Sequence, residues 1–400
     1  EKFNRYLKDV WSLTQTLYST KKASHINVAL GNVSGDMDSV VCSVLLGYYL
    51  TYKQGFYEEV KEEINPETIE EEQLKKFYVP MLNMAKADLF ARSDIIFHFE
   101  QLGINHQEIP AYNEIDLKHY AEQGTLGVNL VDHNFPDCTQ EFVVPFVERI
   151  YDHHHEKKAE YPKMIYKDVR FCGAAGTLVI KAMLEDEHLK DELVDSKVAW
   201  FSSAPIIIDS VNFKEKLRGK KWDQVDEDTY KLIKEIAGDT MPEDYFTQVY
   251  SKKTDIQTNI DLGFHLLARK DYKNYRIGDD ILGISTIFLN LSICETEFSP
   301  EALEDEFKNI MEEKGLSMYM VLTHYEEDHD VRRQVLVYSP NKDLADKLKD
   351  LFDNGVTLKA EKLADSKLNE IENCHVWQNH NTAYSRKKIE PLIRKHFGLD

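Results

Sequence analysis

Cysteine is scarce and scattered: Cys42, Cys138, Cys172, Cys294 and Cys374 are odd in number and never spaced as C-x-x-C. That speaks against a disulfide framework and a thiolate zinc site and favours a reducing setting, so a cytoplasmic location is expected. No apolar run reaches membrane-spanning length, so no membrane partner is expected. The charged start, EKFNRYLKDVWSL, reads against a secretory signal peptide. Basic charge is also short, with a formal net charge of -21. A nonspecific nucleic-acid binder carries a basic footprint, so nucleic acid is not an expected partner. An anionic substrate stays open, because salt screens the distant field and a local basic funnel can act alone. Repeats and low-complexity tracts are missing too, and 400 residues suggest two domains.

What is there is an alternation of apolar runs and helical patterns. INVAL (26–30) precedes an apolar helix, Val40–Leu50, then a charged helical run from Tyr57 to Phe77. Tyr78–Met84, LGVNLVDHN (126–134), VERIYDHHHE (147–156) and APIIIDSVNF (204–213) read as strands, with helices at Ala87–Leu102 and Gly173–Leu184 between them. This pattern predicts a parallel sheet covered by helices. Phe3, Leu7, Val10 and Trp11 fall at helical spacing, so the N-terminal segment is expected to dock on the core.

The expected boundaries are a first domain over 1–225, a charged helical linker over 226–244 and a second domain over 245–400. The second domain holds a hairpin-like stretch (275–289), a helix at Ser299–Lys314, and strands MYMVLTHY (318–325) and RRQVLVYS (332–339) joined by the acidic loop Glu326–Asp330. A last pair of helices brackets NCHVWQNHNTAYSRKK, giving a smaller, mainly antiparallel α+β domain. The runs Lys214–Lys221 and Arg332–Arg333 read as solvated surface, the first with the option of extending an anion track. His324, His329 and Asp330 read as loop residues rather than metal ligands.

The chemistry concentrates in GNVSGDMDS (31–39), where Asp36 and Asp38 leave a strand and enter a helix. Helix capping by Asp38 or Ser39 is one reading, and a cation held by hard oxygens is the other. Three further predicted strands end in Asp132-His133, in Asp152-His153-His154-His155 and in Asp209. Each alone is weak, since a lone Asp after a strand usually caps or turns, and DHHH could be a surface run. Together they converge, because the C-terminal ends of an open parallel sheet share one crevice. Carboxylates and imidazoles without thiolates suit Mg²⁺, Mn²⁺ or Co²⁺, and two such ions can activate water against phosphorus. CGAAGT (172–177) opens a helix with small residues, for which phosphate binding and close helix packing are equally open.

The series D-x-D (36–38), D-H-N (132–134), D-H-H (152–154) and Asp209, followed by RKDYK (269–273) and SRKK (385–388), resembles the DHH phosphoesterase superfamily. Its family II pyrophosphatases, prune phosphodiesterases and cytosolic yeast exopolyphosphatases carry similar motifs. The resemblance implies an α/β fold: an N-terminal doubly wound parallel sheet, a smaller C-terminal α+β domain, and an active site in the cleft between them. It implies two divalent metal ions, with Asp36 on one, Asp38 on the other, Asp132 bridging both, and His153 and Asp209 completing the second. His154 would face the phosphate, Asn32 would join the substrate site, and Lys273, Arg386 and Lys387 would clamp the phosphate. Asp132, His154, Lys273 and Arg386 carry the expected catalysis, while His133 and Asp152 orient their neighbours and His155 has no assigned role.

Asn32 stands where the pyrophosphatases have His, and His154 stands where prune proteins have Arg. Exopolyphosphatases and prune proteins share the Asn, and the His favours the exopolyphosphatases, so the expectation is a monomeric hydrolase that releases orthophosphate from the end of inorganic polyphosphate. A manganese-dependent pyrophosphatase and a prune-type short-chain polyphosphatase or nucleotide phosphodiesterase are the rivals. An oligonucleotide exonuclease is disfavoured by the lack of a Gly-Gly pair. A regulatory scaffold with a vestigial site is the alternative of another class.

Overall fold

The computed structural model describes residues 1–327 and 330–399. Their contacts separate into two units, Glu1–Lys253 and Thr254–Asp400. In the first unit β1 (Ile26–Leu30), β2 (Tyr78–Met81), β3 (Leu126–Val131), β4 (Val147–Asp152) and β5 (Tyr166–Val169) form one parallel sheet in the order β2-β1-β3-β4-β5. Every position of β1 and β3 is buried, as continuous apolar strands require when both faces are covered. The order reverses between β1 and β3, so the loops beyond their C-terminal ends part at a topological switch point.

Helix α1 (Lys2–Leu13) docks through Phe3, Tyr6, Leu7 and Val10, while Trp11 lies outside the buried stripe. Helix α2 (Met37–Lys53) is buried from Met37 to Thr51, which explains its apolar character all round. It packs on β1, β2, α3 (Ala175–Leu184) and α4 (Ser196–Asp209).

Four expectations change here. The 57–77 run holds only two single turns of helix, Phe56–Glu59 and Glu71–Leu74. Ala87–Leu102 splits into a 3₁₀ turn, Lys86–Ala91, and a helix, Ser93–Gln101. The stretch around 204–209 is the last part of helix α4, so Asp209 ends a helix and not a strand. A short apolar run does not distinguish a buried strand from a buried helix, and Pro205 hid the helix further. Proline gives no N–H to the carbonyl four residues back. That carbonyl, Phe201 O, instead accepts a bond from His98 Nε2 at 3.0 Å, so the helix continues without an orphaned acceptor. Finally, most of the expected linker is helix α5 (Gln224–Ala237), which packs on α4 inside the first unit.

The second unit contains β6 (Tyr272–Ile277), β7 (Asp280–Ile287), β8 (Met318–Thr323), β9 (Tyr325–Glu327), β10 (Asp330–Arg332), β11 (Gln334–Tyr338), β12 (Ala360–Lys362) and β13 (Cys374–Asn379). Six of them form a sheet ordered β12-β13-β11-β8-β7-β6, antiparallel at every step except β7–β8. Side chains alternate across it with period two. Tyr319 and Val321 join Leu303, Phe307 and Ile310 of α6 (Pro300–Lys314) on one face. Met318, Met320 and Leu322 join Leu348 and Phe352 of α7 (Lys342–Asn354) and Ile389 and Ile393 of α8 (Arg386–His396) on the other. The expected acidic loop is a ribbon of β9 and β10, and His329 lies outside the described residues. Among the described residues no helix is long and apolar enough to cross a membrane.

Candidate metal centre

Three strand ends and one helix end of the first unit bring their acids together. Asp36 leaves β1 and caps α2, its Oδ1 accepting from Ser39 N at 3.1 Å. Capping and clustering therefore coexist, and the cap is Asp36 rather than Asp38 or Ser39. Asp38, in the first turn of α2, is clasped from outside its own helix. It accepts from Ala175 N at 2.7 Å and Gly176 N at 2.8 Å at the start of α3, and Cys42 Sγ lies 3.1 Å from Oδ1. Those N–H groups are thereby occupied by a carboxylate, so CGAAGT serves close packing rather than phosphate binding. A Cβ on Gly176 would stand 2.8 Å from Pro205 Cγ, which explains the small residue.

Asp132 follows β3 with φ +59, a left-handed backbone that costs a non-glycine residue about 1–3 kcal/mol. Its Oδ2 accepts from Ser39 Oγ at 2.7 Å and from the Asn32 amide, whose own Oδ1 accepts from Ser34 N at 2.8 Å. Oδ1 of Asp132 faces His153 Nε2 at 3.2 Å, and Asp38 Oδ2 lies 3.8 Å from the same nitrogen. Asp209, Asp38 and His153 offer ligand atoms within 4.8 Å of one another, as do Asp132, Asp152, His153 and His154. Asp152 is fully buried and holds His154 Nδ1 at 2.7 Å, while its other oxygen accepts from Asn134 Nδ2 at 2.5 Å.

The electrostatics are those of crowded like charge. Burial, then the charges of Asp132 and Asp209, push the Asp36 carboxyl up to about 6. Burial and Asp132 drive Asp38 well above the carboxylate range, and burial also raises Asp209. Asp152 goes the other way: burial raises it, but the bond and charge of His154 win and hold it low. Two unit charges about 4 Å apart repel by about 4 kcal/mol at an effective dielectric of about 20, so this cluster calls for positive charge.

His153 points to the same need. Its Nδ1 faces the Cys172 carbonyl at 3.0 Å, and a carbonyl only accepts, so the proton sits on Nδ1. Neutral imidazole then aims the Nε2 lone pair at two carboxylates, which is repulsive unless a proton or a cation lies between. The donor set of oxygens and imidazole fits a divalent cation.

Of the residues named from sequence, Asp38, Asp132, Asp152, His153, His154 and Asp209 fall within these two clusters. Asp36 joins them through its shared electrostatics, and Asn32 through Asp132. Sequence reasoning named Ser39 only as a possible cap and missed its hold on Asp132, and it missed Asp226. The latter is fully buried at the start of α5 and accepts from Gly173 N at 2.7 Å and Thr177 Oγ1 at 2.5 Å. It thus locks the segment whose Cys172 carbonyl sets His153. No local pattern marks Asp226, because its partners are backbone and hydroxyl groups about fifty residues away.

In the second unit the two basic motifs meet. Arg386 Nη2 pairs with Asp271 Oδ1 at 2.6 Å, and Nη1 donates to Asp271 O at 3.1 Å. Arg386, Lys387 and Lys388 occupy the first turn of α8, where Ser385 makes no side-chain cap. Cations at the positive end of a helix are unfavourable and gain most from a bound anion. Lys273 lies on β6 opposite Ile284. Arg333 is half-buried rather than solvated: Nε donates to Thr382 O at 2.9 Å, and burial lowers its guanidinium against the pull of Asp271. His324 and Asp330 belong to neither ligand cluster among the described residues.

Comparison with known proteins follows the same lines. Residues 251–396 match the DHHA2 domain family. The chain is 25% identical over 372 residues to Exopolyphosphatase PRUNE1 of Homo sapiens, covering 92% of this chain and 75% of that protein. A Schizosaccharomyces pombe protein provisionally named an exopolyphosphatase is 23% identical over 409 residues, covering 98% and 97%. Among solved structures, a Methanococcus jannaschii protein provisionally named a family II inorganic pyrophosphatase superposes with TM-score 0.60 at 17% identity, over 93% of this chain and 100% of that one. This likeness shows the fold. Domain match, relatives and fold all agree with the DHH resemblance carried by the motifs.

Two outcomes are expected. Folding raises Asp36 from 3.8 to about 6, so between these values the folded chain keeps a proton the unfolded chain has lost. Metal-free stability therefore falls as pH rises through that window, and a divalent ion relieves the repulsion only above it. Mn²⁺ or Mg²⁺ should raise the melting temperature of metal-stripped protein clearly at pH 7.5 and little at pH 5. An equal shift at both would refute the cluster as the binding site. Asp226→Asn should weaken Mn²⁺ binding about tenfold by calorimetry while the far-UV spectrum is retained. Unchanged affinity would show that the 172–177 segment does not tune His153.

Proposed function

We propose that this chain is a metal-dependent phosphoanhydride hydrolase of the DHH superfamily that removes terminal orthophosphate from inorganic polyphosphate. The observation that carries the reading is the crowding of Asp38, Asp132 and Asp209 around His153 in the first unit, with Asp36 repelled by Asp132 and Asp209, which fits divalent cations. The relatives named exopolyphosphatase support the substrate. Asp36 would hold one ion, Asp38, His153 and Asp209 the other, and Asp132 both. When bound, such ions lower the pKa of a shared water and neutralise charge on the attacked phosphate.

The chain's own residues do the rest. Asp152 keeps the proton of His154 on Nδ1 and steadies an imidazolium, so Nε2 is the atom that would donate to a phosphate oxygen. Ser39 and the Asn32 amide fix the carboxylate plane of Asp132. In the second unit Asp271 holds the Arg386 guanidinium in place, and Arg386, Lys387 and Lys273 would grip phosphate oxygens, Arg bidentately. Phosphoryl transfer asks for little more than such positioning and neutralisation.

A manganese-dependent pyrophosphatase is the second reading, favoured by the fold of the archaeal neighbour. Asn32 argues against it. Its Oδ1 accepts from Ser34 and its amide donates to Asp132, so it serves as a carboxylate holder where an imidazole would supply a further metal ligand.

Phosphate release from long-chain polyphosphate, pyrophosphate and a nucleotide, each with and without Mg²⁺ or Mn²⁺, tests the assignment. Polyphosphate should be the best substrate, and a preference for pyrophosphate would replace the first reading with the second. Asp132→Asn should cut kcat by at least about a thousandfold with the fold retained, as expected for a bridging ligand. Near-normal turnover would remove Asp132 from the centre. Arg386→Ala should raise KM and lower kcat for polyphosphate while calorimetric Mn²⁺ binding stays unchanged. Loss of metal binding instead would make the second unit's basic motif structural.

A further inference from the structure

The run Lys214–Lys221 follows Asp209 and belongs to no cluster described above. It carries Lys214, Lys216, Arg218, Lys220 and Lys221 against one acid, Glu215, in a chain of net charge -21. All five cations are exposed. Arg218 is committed, since it bonds Gln224, stands 3.8 Å from Glu215 and lies over the Trp222 ring. Lys214, Lys216 and Lys220 form no ion pair among the described residues.

This run is anchored rather than loose. Val211, Asn212 and Phe213 take φ of 53, 52 and 54, left-handed values that a β-branched and an aromatic residue rarely adopt. Trp222 is buried and its Nε1 donates to Lys214 O at 3.1 Å, tying the two ends of the run together. Phe213 packs edge-on against the same ring. The Lys221 carbonyl lies 3.1 Å from where a Cβ on Gly173 would stand. Gly173 adjoins the Cys172 carbonyl that fixes His153. The positive charge of Lys221 also acts on Asp209, where it opposes the rise due to burial. The fold therefore holds this basic run against the segment that supports the metal-ligand cluster.

We propose that residues 214–221 form a second anion site, which binds phosphate units of a linear polyphosphate beyond the unit being hydrolysed and so sets a preference for long chains. The inference rests on the proposed function and deepens it. A polyphosphate chain presents closely spaced charge without bases, which suits lysines with no stacking surface. Single-stranded nucleic acid binding relies on exposed aromatics, and here Trp222 is buried and Phe213 is packed against it.

The test is the triple variant K214Q/K216Q/K220Q, with K214R/K216R/K220R as the charge-preserving control. Fluorescence anisotropy measures binding of labelled long-chain polyphosphate and of a single-stranded RNA of equal charge. Kinetics measure KM for long-chain polyphosphate and for tripolyphosphate. The Gln variant should bind long polyphosphate about tenfold more weakly and raise its KM by a similar factor. Its kinetics on tripolyphosphate should stay within about twofold of the parent. The slope of log affinity against log salt should fall by about two, near 0.7 for each lost cation. The Arg variant should restore all three. Unchanged affinity and slope in a parent that hydrolyses polyphosphate would overturn the site while leaving the proposed function standing. RNA binding tighter than polyphosphate would also overturn it. A parent that binds but does not hydrolyse polyphosphate, with affinity lost in the Gln variant, would uphold the site and reject the activity.

Discussion

The first unit depends on one electrostatic problem: four carboxylates converge, Asp38 and Asp132 buried and Asp36 and Asp209 half-buried, where little water can screen them. Asp36, Asp38 and Asp209 are all raised, and Asp132 contributes to each. Left without positive charge, such a cluster would hold protons. The fold offsets part of the cost with fixed donors, while the charges of Lys253 and Lys221 oppose the rise at Asp209. Ala175 and Gly176 N–H groups take Asp38, Ser39 and Asn32 take Asp132, and Ser39 N takes Asp36. These donors are neutral, so they place the carboxylates without neutralising them, and the charge stays available for a cation.

Support for that arrangement comes from a short segment, residues 172–177. Its Cys172 carbonyl sets the tautomer of His153, and its Ala175 and Gly176 amides hold Asp38. Its Gly173 amide and Thr177 hydroxyl are in turn fixed by the buried Asp226. A buried carboxylate with satisfied partners is costly to lose, because each unpaired group left behind costs about 1–3 kcal/mol. The helix that carries Asp226 is thereby part of the machinery that orients the centre, and that explains why it packs in the first unit.

Much of this was legible before any coordinates. The burial of β1, β3 and α2 follows from continuous apolar runs, and the grouping of Asp36, Asp38, Asp132 and His153 follows from strand ends in a parallel sheet. The hairpin β6–β7 and the alternating faces of β8 follow from period-two patterning. Other elements were opaque for specific reasons. Residues 204–209 form a helix whose proline resembles a strand boundary, and the compensation by His98 comes from another helix altogether. The run 57–77 has helical composition but folds mostly without helix, since isolated turns need packing to persist.

Sequence alone determined the chemistry available: oxygen and imidazole ligands in short motifs, two basic motifs in the second half, and no thiolate motif for a structural zinc. It determined these because residue identity and period-two or helical spacing are local properties. Tertiary structure alone decided which groups hold which. It assigned the cap to Asp36, gave the amides of Ala175 and Gly176 to Asp38 instead of phosphate, and paired Arg386 with Asp271. It also seated Lys221 against Gly173. Apart from the local cap, each of these depends on backbone groups brought together from distant positions, and backbone N–H and C=O groups are identical at nearly every residue. A sequence therefore names the side chains that seek partners, while only the folded chain selects the partners they find.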